Sequence, residues 1–227
     1  MSARDPLPPP SWLGQGLFLA EVVSVADPEH RARVQVRLFA FDGVAGQDAP
    51  VWARVAAAFA GRARGAFFIP DVGDEVLVGF VQGDGRQPVI VGSLWNGHDA
   101  PPETLPGDAV ERWTITGKAG TRIAILESDS PTICLETPGG AVAELTDSGG
   151  GKMQIDAGGS TLKIEPAGVT LTTGATVTVE ASMVKVSAGM VTVDAALTNF
   201  SGVVMCSTLI SNTVISASYT PGAGNIW

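Results

Sequence analysis

The sequence predicts an all-β protein in two parts, a small closed barrel followed by a long repetitive β shaft. Three observations predict it. Hydrophobic residues make up 45% of the 227-residue chain but aromatic ones only 6%, so Val, Ala, Leu and Ile must carry the core, a composition suited to repetitive β packing. The 28 Gly and 15 Pro interrupt the chain too often for long helices. Short runs of apolar-polar alternation recur along most of its length.

Residues 1–16 are Pro-rich and then Gly-flanked, and read as an arm without packed structure of its own. From Leu17 the run LFLAEVVSV, the turn ADPEH and the run RARVQVRLFAF form a hairpin with one wet face. Val34, Val36 and Leu38 alternate there with Arg33, Gln35 and Arg37. PVWARVAAAF is a third strand ending in the turn-rich AGRARG. AFFIPDVGDEVLVGFVQ supplies a fourth after its PDVGD corner, and QPVIVGSLW a fifth after the tight GDGR turn. Five short strands in about 80 residues suggest a small closed barrel of the OB type over residues 17–97, although strand count alone leaves the topology open.

The stretch NGHDAPPETLPGDAV, residues 96–110, has the Pro and Gly density of a linker, and the linker segment is set at residues 98–112. Residues 113–227 then differ in kind. From Ser160 onward, Leu162/Ile164, Val169/Leu171, Val177/Val179, Val184/Val186 and Val191/Val193 form apolar-polar-apolar triplets starting 7, 8, 7 and 7 residues apart. Spacing of two inside each unit excludes a coiled coil despite the near-heptad period. One short strand per unit, wound about an axis, is a β-helix or β-prism. The five charged side chains after residue 160, Lys163, Glu165, Glu180, Lys185 and Asp194, all fall on the phase opposite to these pairs, so one face is buried and the other wet. Strands this short cannot enclose a single-chain core, and the ten triplet residues are therefore expected to line an intertwined shaft of several identical chains, roughly 40 Å long at about 4.8 Å per layer. After Asp194 the last 33 residues carry no charge, which requires a cover against aggregation. Residues 195–227 are the uncharged tip.

Composition excludes several functions. MSARDPLPPP lacks a basic region followed by an apolar run, so cytoplasmic synthesis and assembly are the expectation. A formal charge of −9, with 8 basic against 11 acidic residues in the first 100, has the wrong sign for gripping a phosphate backbone. Cys134 and Cys206 stand at no metal spacing and read as small buried apolar residues rather than a disulfide or a zinc site. His30 and His98 are the only histidines. Ser93, His98 and Asp99 fit no nucleophile motif, and no catalytic, metal or cofactor residue is assigned. GKAGT at 117–121 lacks the spacing of a phosphate loop and reads as a turn, and GGGKMQIDAGGS lacks the calcium nonapeptide repeat. Trp52, Trp95 and Trp113 are expected to pack the barrel and its junction with the shaft. The tip interleaves Thr, Ser and Asn too often to be a membrane span.

Several pieces together carry a resemblance: Trp52-Ala-Arg-Val55, the run from Phe68 to Val76, Gly79-Phe80, Gly83-Asp84, and Pro88 through Gly97. Residues 52–97 closely resemble the OB-fold domain of the central spike of contractile injection machines. That family includes the baseplate assembly protein V of contractile-tailed phages, the valine-glycine repeat protein G of type VI secretion, and spikes of phage-derived extracellular injection systems. Residues 20–41 resemble its first hairpin, and the later repeats its β-helical needle. The resemblance implies a non-enzymatic homotrimer at the front of an inner tube, with the OB barrels on a hub and the needle contacting a target membrane only in passing. The short linker leaves no room for a lysozyme-like insertion, and no hub-like domain precedes residue 17, so the hub is expected to be a separate trimeric chain. No His-x-His tip motif is present, which makes a separate PAAR-repeat tip protein, docking near Tyr219, Ile226 and Trp227, the expectation. The rival reading is an OB-type nucleic-acid or carbohydrate binding module with a disordered tail.

Overall fold

The computed structural model describes residues 16–44, 48–105 and 107–218. By compactness the chain divides into residues 1–175 and 176–227. In the first unit, seven strands come before the linker: β1 (Phe18–Ser24), β2 (Arg33–Leu38), β3 (Val51–Val55), β4 (Ala60–Gly61), β5 (Arg64–Gly65), β6 (Glu75–Phe80) and β7 (Pro88–Leu94). Five of them close a barrel in the order β1-β2-β3-β7-β6, with β6 returning to β1. Every pairing is antiparallel except β3 with β7, the five-stranded Greek-key arrangement of an OB fold. The remaining pair, β4 and β5, forms a separate small hairpin between β3 and β6.

The period of two decides what fills the barrel. Ala20 and Val22 on β1, Val34 and Val36 on β2, Ala53 on β3, Val76 and Val78 on β6, and Ile90 on β7 form its buried core. Leu38, Val51, Val55, Ile69 and Phe80 pack against that core from its edges, and Phe18 meets Phe80 edge to face at 5.6 Å between ring centroids. A small barrel has room for only one layer of modest side chains, which is why a chain poor in aromatics can fill it. Trp95 and Trp113, expected in this core or at its junction, are instead exposed, while Trp52 is half-buried beneath the Arg33 guanidinium.

Asp27, in the β1–β2 turn, is buried, and its carboxylate accepts hydrogen bonds from the backbone N–H groups of Glu29, Arg31 and Arg33. It also accepts from Nε and Nη2 of the Arg33 side chain at 3.2 and 2.8 Å. This cluster holds a turn in which His30 and Ala32 adopt left-handed backbone, a conformation non-glycine residues otherwise avoid. The Arg33 guanidinium, assisted by the three N–H groups, holds the Asp27 carboxyl far below the usual carboxylate range. Because the folded-state value is depressed, the stabilisation is present above the unfolded-state value near about 4 and is lost as pH falls below it. Acid titration of the barrel's melting temperature should therefore drop below about pH 4. Asp27→Asn should lower the neutral-pH midpoint by several degrees and flatten that acid limb.

After the linker come β8 (Arg112–Thr116), β9 (Arg122–Leu126), β10 (Thr132–Glu136), β11 (Val142–Thr146), β12 (Lys152–Ala157), β13 (Ser160–Glu165) and β14 (Gly168–Thr172). They form one antiparallel sheet in sequence order, not a strand wound once per unit. Leu162/Ile164 and Val169/Leu171, read above as successive turns of a winding, lie side by side on β13 and β14. The reason is turn chemistry. Gly158 and Gly159, at φ +57° and +79°, reverse the chain in two residues, and Pro166-Ala167 does the same before Gly168; so tight a reversal can only make an antiparallel neighbour. GKAGT is likewise a turn, with the Gly120 N–H donating to the Gly117 carbonyl between β8 and β9.

Candidate functional site

Register puts large apolar side chains of the second sheet on one face in two rows. One row runs Trp113, Ile125, Ile133, Leu145, Met153, Ile164, Val169, and the other Ile115, Ile123, Leu135, Ala143, Ile155, Leu162, Leu171, each residue directly opposite the next across a strand pair. Seven strands at about 4.8 Å spacing make this face roughly 30 Å wide. Nothing in the chain's described residues buries it: Ile133 is 46% exposed in mid-sheet, and Trp113, Ile123, Leu135 and Leu145 are similar. Soluble monomers rarely expose a continuous apolar area of this size. Ala143 is the one small residue in either row, and around it lies an apolar hollow of about 350 Å³ bordered by Ile123, Leu135 and Ile155.

The opposite face is polar and internally paired. Arg122 meets Glu136 across β9 and β10 at 3.1 Å, Lys152 meets Glu144 at 3.4 Å, and Thr161 donates to Asp156 at 2.6 Å. Thr132 donates to Thr146, and Ala124, Cys134 and Thr146 are buried among these longer neighbours. Glu103 from the linker reaches the same sheet, accepting from Arg112 and Arg122 at 2.7 and 2.9 Å. Burial pushes its carboxyl up, but the two guanidiniums more than offset that and leave it below the usual range. Burial and the nearby Glu136 carboxylate push the Cys134 thiol up, so it is an unreactive packing residue, as expected. Cys206 is exposed, against expectation. Lys163 and Glu165 pair with each other at 2.6 Å on the polar face, the phase the sequence assigned them.

Residues 176–218 contain no strand, and Val177, Val179, Val184, Val186, Val191 and Val193 are all exposed. The chain bends at 175, 182, 189 and 196, every seven residues, in step with the triplets. Beyond 196 the bends fall at 202, 207, 212 and 217, and the step settles at five. The triplet period does not foretell this change. Its signal is plain once seen: SGVVM, CSTLI and SNTVI, residues 201–215, repeat small-polar residues followed by two large apolar ones. Exposure follows the same period, with Met205, Ile210 and Ile215 at 93–95% and Val204, Leu209 and Val214 at 59–72%. Tyr219, Ile226 and Trp227, the expected tip-docking residues, lie outside the described residues.

The described residues thus comprise a Greek-key barrel, a sheet with one exposed apolar face and a stretch without strands. Residues 18–95, the barrel, match the family model of the type VI secretion system/phage-baseplate injector OB domain. Among similar proteins, the type VI secretion system spike protein VgrG1c of Pseudomonas aeruginosa is 36% identical over 77 residues, 33% of this chain and 11% of that protein. The spike protein VgrG5 of the same organism is 42% identical over 76 residues, 33% of this chain and 10% of its own length. A Vibrio cholerae protein, the actin cross-linking toxin VgrG1, is 44% identical over 55 residues, 24% of this chain and 5% of the toxin. The match thus spans about a tenth or less of these relatives. No helix among the described residues is long and apolar enough to cross a membrane, and none of their His, Cys, Asp and Glu side chains cluster as a metal site.

Proposed function

We propose that this chain is the non-enzymatic central spike of a contractile injection apparatus, a phage tail baseplate or a phage-derived extracellular particle. It works as a homotrimer. The observation that carries the reading is the apolar face of the β8–β14 sheet, exposed in one chain and backed by a face that carries the sheet's paired charges. Three such sheets, apolar faces inward, form a closed prism that needs no other cover. The stretch 176–218, which pairs with no strand of its own chain among the described residues, fits the same assembly, because three intertwined copies satisfy one another's backbone groups. Val177 through Val193 then line the seven-residue section, and the five-residue section beyond residue 196 is narrower.

In this reading residues 1–16 are an arm, 17–97 the barrel, 98–112 a linker and 113–227 the needle with its uncharged tip. The barrels dock on a separate trimeric hub and through it on the inner tube. A PAAR-repeat protein caps Tyr219, Ile226 and Trp227. Assembly is cytoplasmic, and contraction ejects the spike to puncture the target envelope, with membrane contact only in transit. Sedimentation equilibrium of the full chain should give three times the 23.3 kDa protomer mass. A monomer at micromolar concentration would end the reading.

A further inference from the structure

Charge on the barrel unit is segregated although the chain as a whole is acidic. One side carries the β4–β5 hairpin, closed by the Ala60–Gly65 and Gly61–Arg64 pairs and by the Ala66 N–H donating to the Phe59 carbonyl. Phe59, Phe67 and Phe68 around it are 62–76% exposed. Arg54, Arg62 and Arg64 stand beside them and form no ion pair among the described residues, whereas Arg31, Arg33 and Arg86 are each held by a neighbouring carboxylate. The hairpin is thus an apolar knob with unpaired positive charge.

The opposite chemistry occurs on the other side of Ile69. There a groove of about 1010 Å³ opens between the barrel and the β8–β9 end of the sheet. Its charged rim holds five carboxylates, Glu21, Asp71, Asp74, Glu75 and Asp99, against one lysine, Lys118. Arg37 pairs with Glu21, and Lys118 with Asp71. Asp74 and Glu75 have no ion pair among the described residues. Half-exposed Val25, Phe39 and Val72 give the groove an apolar lining. Knob and groove are complementary both in charge and in apolar surface, and neither complements itself: two hairpins would oppose arginines, two grooves carboxylates. Two different patches on one subunit are what a head-to-tail ring requires.

We propose that the hairpin around Arg62 and Arg64 of one protomer docks into the groove lined by Asp74 and Glu75 of the next copy, closing a ring of barrels. The inference rests on the trimeric reading above and adds to it how the barrels touch. Three unpaired arginines are few for tracking a nucleic-acid backbone, and the other cations of that side are already neutralised. A second copy supplies the missing carboxylates.

The test uses the full-length chain with Arg62→Lys and Arg64→Lys, which keep the charge and supply amines, assembled from a mixture of 14N- and 15N-labelled chains. A carbodiimide couples amines to carboxylates in contact, and mass spectrometry reads the joined peptides. Joined light and heavy peptides linking residues 59–66 to 71–75 are the expected result. They should be lost in Asp74→Lys/Glu75→Lys and absent above about 0.5 M salt, where exposed pairs are screened. A trimer giving only same-isotope links, or none, overturns the inference and leaves the trimeric reading standing. A hairpin that instead shifts labelled oligo-dT, with loss in Arg62→Glu/Arg64→Glu, overturns it in favour of nucleic-acid binding. A sample that sediments as a monomer overturns both.

Discussion

Leu135→Asp, made in a chain ending at Ala175 where only the sheets can hold the copies together, should convert the proposed trimer into a monomer at concentrations where that truncated parent remains assembled. Leu135 sits at mid-sheet, opposite Ile123 on one side and Ala143 on the other, at the rim of the Ala143 hollow. A threefold prism would bury three of these aspartates against apolar side chains, and burial of a carboxylate on an apolar face is among the largest penalties a substitution can impose. The expected loss is at least 10³-fold in association, roughly 4 kcal/mol at about 1.4 kcal/mol per factor of ten. Far-UV circular dichroism should retain the sheet signal, because the strand ladders of β8–β14 lie within one chain. Thr170→Asp, exposed on the polar face opposite Lys163, serves as the control and should sediment with the parent. If Leu135→Asp remains trimeric, the apolar face is not the interface.

Removing residues 176–227 should abolish the resistance to SDS expected of the proposed interlocked trimer while leaving a trimer in native buffer. In the single chain, the described backbone after Ala175 has no strand partner, so its hydrogen bonds must come from water or from other copies. When three copies supply them, no chain can leave until the others' ladders open, and detergent must break the whole interlock at once. The proposed prism of three sheets would lack that interlock, since each β8–β14 ladder is complete within its own chain. The truncated protein should therefore run as a monomer in unboiled SDS and lose tens of degrees in melting temperature. A truncated chain as detergent-resistant as the parent would place the interlock elsewhere.

Alternation made the barrel readable. Val34, Val36 and Leu38 mark a half-buried strand and the PDVGD and GDGR corners bound the others, so five short strands are legible from local signals, while their closure rests on the parallel β3–β7 pairing and the β6–β1 pairing that no local signal carries. The β4–β5 hairpin is not legible, because AGRARG reads as turn residues and its pairing is only two residues long. The meander was missed for a different reason. Apolar-polar-apolar triplets look the same in a wound strand and in a hairpin, and only the two-residue reversals at Gly158-Gly159 and Pro166-Ala167 separate them. Trp95, Trp113 and Cys206 were assigned to interiors that one chain does not possess. Their exposure shows a limit of composition: it says that a residue favours burial, not whether the cover comes from the same chain. The pentads from Ser201 to Ile215 carry a legible signal of their own, two adjacent large apolar residues every five, which the apolar-polar-apolar triplet pattern does not contain.

The strictly sequential order of the β8–β14 meander also sets a timetable. Each strand finds its partner within about ten residues, and such local hairpins close in microseconds. Residues 112–172 can therefore complete their ladder while later residues are still being synthesised. In the proposed assembly the stretch beyond Thr176 has to wait for encounter with other chains, a concentration-dependent step on a slower clock. The meander would thus act as a matchmaker: formed first, it gathers three copies side by side by its apolar face and so delivers the uncharged ends to one another in register, before they can find the wrong company.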